Sequence, residues 1–148
     1  MTTKPLPKTV LAFDYGLKNI GVAVGQTVSF TGRELSALKA QDGVPNWHLV
    51  EQLLKEWRPD LVVVGHPVNM DGTASELSQR AKKFANRING RFGLPTELVD
   101  ERLSSREAKQ EAQERGHKGS YGDNPIDSIA ARIILETWLN QAQAKQTH

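Results

Sequence analysis

Cysteine is absent from this 148-residue chain, which excludes disulfides and thiolate metal ligands. Aromatic residues are scarce at 6%. Trp47, Trp57 and Phe84 occupy apolar positions of helical spacing, so core packing is their expected role, and no platform for stacking nucleobases is visible. No apolar run approaches the roughly 18–20 residues that a membrane helix needs. Met1 to Lys8 carries Pro5 and Pro7 and lacks the apolar core of a secretory leader. A cytoplasmic protein without a membrane partner is expected. Neither sign of charge dominates: 17 Asp and Glu against 19 Lys and Arg leave +2, a tilt compatible with nucleic acid but too mild to indicate it. His48, His117 and His148 stand isolated and read as surface residues.

What is present suits one ordinary α/β domain over residues 1–148, with 38% apolar and 24% charged residues. Residues 1–8 and 141–148 are expected to be flexible tails. Thr9 to Phe13 is an apolar, β-branched run that reads as a buried strand ending in Asp14. A turn over Tyr15 to Asn19 leads to a second strand, Ile20 to Val24, and Phe30 to Lys39 makes a third. Trp47, Val50, Leu53, Leu54 and Trp57 recur at helical spacing within Pro45 to Trp57. Leu61 to Val64 has the uninterrupted apolar character of a central strand. After a polar loop from His66 to Thr73, the residues Leu77, Ala81, Phe84, Ala85, Ile88 and Phe92 define a second helix that ends before Gly93 and Pro95. Thr96 to Val99 is a short strand. Ser104 to Arg115 reads as a polar helix, Gly116 to Asp123 as a mobile loop, and a last helix opens at Asn124-Pro125. The order βββαβαβαα predicts a mixed five-stranded sheet with helices on both faces, antiparallel in its first three strands and parallel thereafter.

The acids fall where such a sheet would gather them. Asp14 ends the first strand, Asp100 and Glu101 end the last, and Asp127 lies in the first turn of the final helix. Sites in open α/β sheets form at the carboxyl ends of parallel strands. Clustered carboxylates repel one another unless a cation lies between them, and all-oxygen ligands suit Mg²⁺ or Mn²⁺. Such a centre hydrolyses phosphodiesters. Each acid also has a plainer reading. Asp14 would serve equally to bind turn amides. Strand alternation directs only one of Asp100 and Glu101 toward a shared site, Glu101 being slightly preferred. Asp127, after Asn124 as cap and Pro125 at the first helical position, would also serve as an acid facing the helix dipole.

Four segments in order resemble the YqgF family, also called RuvX: Ala12-Phe13-Asp14-Tyr15-Gly16-Leu17-Lys18-Asn19-Ile20-Gly21-Val22-Ala23, then Val64-Gly65-His66-Pro67 with Asn69-Met70-Asp71-Gly72, then Asp100-Glu101-Arg102-Leu103-Ser104, and Asp127-Ser128. The resemblance runs from about Val10 to Leu139. It implies an RNase H-like fold and a cytoplasmic hydrolase of nucleic acid. The family is assigned to maturation of the 5′ end of 16S rRNA, and earlier to Holliday junction cleavage. Its acidic positions fall on Asp14, on Asp100-Glu101 and on Asp127. Two departures stand out: His66 replaces an apolar residue, and Gly119 to Asn124 lacks a lysine often found there.

For substrate contacts, Lys18 and Arg102 lie nearest the presumed metal, and Asn69 belongs to a loop bordering the same cleft. Arg80, Lys83, Arg87 and Arg91 form one stripe at helical spacing, which would follow phosphates or serve only as a solvated face. Pre-16S rRNA within a ribosomal precursor particle is the favoured partner, branched DNA the alternative, and either a monomer or a homodimer is compatible. Two rivals remain. An actin-like ATPase shares the Asp-x-Gly hairpin but needs a second lobe. A non-catalytic RNA or ribosome-binding module would have no use for three clustered carboxylates.

Overall fold

The computed structural model describes residues 7–101 and 125–146. At its centre is β1 (Thr9–Asp14), with Val10 to Phe13 fully buried. Both faces of this strand are covered, which is why the run lacks polar alternation. β2 (Asn19–Gln26) and β3 (Thr31–Gln41) follow antiparallel, and β5 (Leu61–His66) and β6 (Thr96–Asp100) add parallel strands on the other side. These are the directions expected from the sequence.

The sheet has six strands rather than five, in the order β4-β3-β2-β1-β5-β6. The extra strand, β4 (Val44–Pro45), folds back on the end of β3, which runs past Lys39 to Gln41. Between them sit Asp42 and Gly43, both with positive φ at 49° and 80°. Asp-Gly with two left-handed residues is the turn that matches the twist of a tight hairpin. That dipeptide was the available signal for β4.

α1 (Trp47–Trp57) starts at Asn46, whose side chain accepts from the His48 amide at 3.0 Å, and ends at Arg58 in the left-handed conformation. α2 (Glu76–Phe92) begins with a reciprocal pair, Ser75 and Ser78 each bonding the other's backbone N–H, and ends at Gly93 with φ 66°. Both pack on one sheet face, against Leu11, Phe13, Ile20, Val22, Val62 and Val64. α3 (Pro125–Gln146) covers the other face with Ala131, Ile134, Leu135 and Leu139, against Val10, Ala12, Ala23, Val63 and Val99.

The tails are shorter than expected. α3 continues through Gln146, with Ala142 buried, so residues from Gln141 extend the core helix. Pro7 and Lys8 are also fixed: the Thr27 hydroxyl donates to the Pro7 carbonyl at 2.8 Å, and the Lys8 amide to Asp60 at 2.9 Å. The expected helix over Ser104 to Arg115 and loop over Gly116 to Asp123 lie outside the described residues. Among the described residues no helix is long and apolar enough to cross a membrane.

Candidate active site

Residue alternation along β1 divides its side chains between two environments. Leu11, Phe13 and Tyr15 belong to the core under α1 and α2, whereas Val10 and Ala12 meet α3. Asp14, two residues beyond Ala12, therefore leaves the strand on the α3 side. It is only partly buried, at the point where the strand meets solvent.

The same rule separates the two acids at the end of β6. Val99 packs on the α3 face. Asp100, paired in register with His66, then faces the opposite side, and Glu101 returns to the α3 side. An independent observation agrees. A Cβ built on Gly65 would lie 2.7 Å from Glu101 Oε1 and would collide with the Ile134 side chain on α3. The Glu101 carboxylate thus reaches back over Gly65. Phe13 pairs with Val64 in the parallel register, so Gly65 is the next neighbour of Asp14 across the sheet. Glycine is what leaves this space open. The role of Gly65 was not read from the sequence, although the residue sits inside one of the four motif segments.

The third acid, Asp127, belongs to the first turn of α3, and its side chain lies outside the described residues. The position of that turn is fixed by its neighbour. Ser128 is buried and its hydroxyl donates to the Leu35 carbonyl of β3. Leu35 pairs with Val22 just after an irregularity in the β2–β3 ladder, where a bulge leaves backbone groups for other partners. Arg132, one turn further on, adds ion pairs to Glu34 at 3.5 Å and Glu136 at 3.0 Å. Ser128 stands in the Asp127-Ser128 segment quoted from the sequence, but its bond to β3 was not read there.

Among the described residues no three His, Cys, Asp or Glu side chains form a group able to hold a metal. Asp14 and Glu101 are the carboxylates described on the α3 side of this edge. The donor chemistry fits a hard divalent cation: the oxygens come from carboxylates, the chain has no cysteine, and His66 stands on the other face.

The residues expected to touch substrate are dispersed. Lys18 is exposed in the β1–β2 hairpin, where its carbonyl accepts from the Ala40 amide at 2.8 Å. Asn69 is engaged within its own loop, donating to Thr73 Oγ1 at 3.0 Å, while Thr73 donates to Asp71. Arg102 lies outside the described residues. Arg80, Lys83 and Arg87 line one cavity with Tyr15 on the α2 side. Arg91 parts from them and lies 4.4 Å over the ring of Trp47. Trp47 also packs on Phe84 at 5.9 Å, so both aromatics serve the core as expected.

The RuvX family model, described as Holliday junction resolvase, matches residues 8–141. The chain belongs to that family. Among its relatives, one from Saccharophagus degradans, named "Putative pre-16S rRNA nuclease", is 59% identical over 90% of this chain and 94% of its own length. Another of the same name, from Pseudomonas fluorescens, is 59% identical over 93% and 95%. Membership of the family fits the sheet order, and the match covers all of the described structure except Pro7 and the last turn of α3. In solved structures, the Thermus thermophilus RuvC bound to a Holliday junction superposes with a TM-score of 0.54 over 91% of this chain and 96% of that one. The free protein from the same organism gives 0.52 over 90% and 96%. At 15% and 14% identity, these two establish the shared fold.

Proposed function

We propose that this protein is a cytoplasmic, metal-dependent nuclease that processes the 5′ end of pre-16S rRNA, using Asp14, Glu101 and Asp127 to hold Mg²⁺ or Mn²⁺. The observation that carries the reading is the Glu101 carboxylate lying over Gly65, on the sheet face of Asp14, at the carboxyl ends of parallel β1, β5 and β6. Such an edge is where α/β sheets place their chemistry. A cation bound there supplies charge for a phosphate oxygen and a hydroxide at neutral pH. The chain's own part is to fix the carboxylates. β1 and β6 set Asp14 and Glu101, and Ser128 anchors the turn that carries Asp127. Asp100, on the other face, is outside this set. Lys18 and Arg102 flank the scissile phosphate. The relatives' name favours RNA as substrate, whereas the family description keeps a branched DNA junction as the second reading.

The deciding assay uses a 5′-end-labelled precursor of 16S rRNA beside a four-way DNA junction, with Mn²⁺, Mg²⁺ or EDTA. Cutting of the RNA alone, abolished by EDTA, is expected, and cutting of the junction alone would replace the processing role by resolution. Asp14→Asn should lower the rate roughly 100-fold or more, because several kcal/mol of charge stabilisation depend on the cation. Its thermal unfolding should match the parent. Parental cleavage by this variant would remove Asp14 from the site.

A further inference from the structure

On the sheet face away from the carboxylates, a cavity of about 220 Å³ opens beside Tyr15, the residue that follows Asp14. The Asp42-Gly43 hairpin turn makes one wall and α2 the other, with Arg80, Lys83 and Arg87 as lining cations. The turn is held in place. The Tyr15 hydroxyl donates to the Gly43 carbonyl at 3.0 Å, and a Cβ at Gly43 would strike that hydroxyl. Residue 43 is thus glycine for its positive φ and for the tyrosine.

Three cations and one carboxylate line this cavity. Arg80 Nη1 lies 3.2 Å from Asp42 Oδ1 and 3.3 Å from the Asp42 carbonyl. The hydrogen bond and charge of Asp42 raise the Arg80 pKa above its ordinary value. Lys83 and Arg87 make no ion pair with a described residue. Lys83 and Arg87, exposed along one wall and without an ion pair among the described residues, offer their charge to an anion entering the cavity. At about 220 Å³ the cavity is smaller than pockets for whole small ligands, which span roughly 300–1,000 Å³, and suits an anion of phosphate size. The aromatic walls offer no base platform, since Trp47 is covered by Phe84 and Arg91.

We propose that this cavity anchors one backbone phosphate of the nucleic-acid strand away from the cleavage site, held by Lys83, Arg87 and Arg80. The Asp42 carboxylate occupies a phosphate-oxygen position on Arg80 until the strand seats. The proposal rests on the nuclease reading, but it concerns binding and not cleavage.

The test measures affinity for a single-stranded oligoribonucleotide in EDTA, where no cutting competes, over a range of salt. The double variant Lys83→Gln, Arg87→Gln should bind roughly tenfold more weakly, as expected for lost charge-assisted contacts. Its plot of log affinity against log salt should flatten by about 0.7, the contribution of one single-strand phosphate. Asp42→Asn should bind more tightly than the parent, because it removes the competitor for Arg80. These residues are at the surface, and thermal unfolding of each variant checks the fold. Equal affinity and slope in parent and double variant would overturn the cavity while leaving the nuclease reading intact. Failure of the parent itself to bind RNA in EDTA would likewise overturn the cavity, while the nuclease reading stands or falls on cleavage in the presence of Mn²⁺ or Mg²⁺. Loss of binding to a mononucleotide, with the oligonucleotide unaffected, would make the cavity a small-molecule site and overturn the proposal.

Discussion

The two faces of the sheet are built from different materials. Under α1 and α2 the core is large and aromatic: Phe13 meets Phe84 edge-on at 5.5 Å, and Tyr15 and Trp47 add their rings to the same residue. Under α3 the sheet presents small residues, Ala12, Ala23, Gly25, Gly32 and Gly65, and the helix comes close enough that added methyl groups would crowd Leu135 or Ile134. The first face fills its volume with side chains. The second draws a helix down onto the backbone, where Ile134 meets Gly65 and Ser128 ties the first turn of α3 to β3. One strand end serves both, since Asp14 and Tyr15 leave it in opposite directions.

The largest effect expected is on the aromatic face. Phe13→Ala removes a fully buried ring and should cost about 3–5 kcal/mol of stability, read as a shift in urea midpoint at constant slope. A loss under about 1 kcal/mol would mean that this face is less tightly packed than its ring contacts imply.

A second experiment tests the division by face directly. Glu101→Gln should lower cleavage roughly 100-fold, like Asp14→Asn, because it removes charge from the proposed cation site. Asp100→Asn should retain most of the activity, its side chain being directed to the other side. Equal damage from both substitutions would show that alternation breaks at the end of β6, and that both acids reach the reacting phosphate.

Much of this organisation was legible in the sequence because β1 and β5 are unbroken apolar runs, and the helices carry apolar stripes and cap residues. The strand-end acids were legible for the same reason: Asp14 and Asp100 interrupt apolar runs at their ends. The choice between Asp100 and Glu101 was open because alternation gives a parity but not its origin. The contacts of Val99 with α3, and of Glu101 with Gly65, supply that origin. The extent of α3 was misjudged because Gln141 to Gln146 is mostly polar, and Ala142, the one buried residue described among them, gives a weak stripe. The cavity beside Tyr15 was out of reach, because it pairs α2 with a hairpin turn some forty residues earlier, a contact that spacing within α2 does not encode.

Gly65 is the place where the small-residue face touches the chemistry, and its substitution gives the smallest and most diagnostic effect. A methyl group there would meet Glu101 Oε1 and the buried Ile134 side chain, and both would have to shift to admit it. The carboxylate would have to move by tenths of an ångström away from Asp14. Gly65→Ala should therefore bind Mn²⁺ roughly tenfold more weakly, the scale seen when groups supporting a metal ligand are disturbed, with a stability loss of about 1–3 kcal/mol from the crowded Ile134. Mn²⁺ titration by electron paramagnetic resonance reads this without any cleavage assay. If affinity stays at the parental value while stability falls, Gly65 serves only the packing of α3, and the Glu101 carboxylate does not need the space above it.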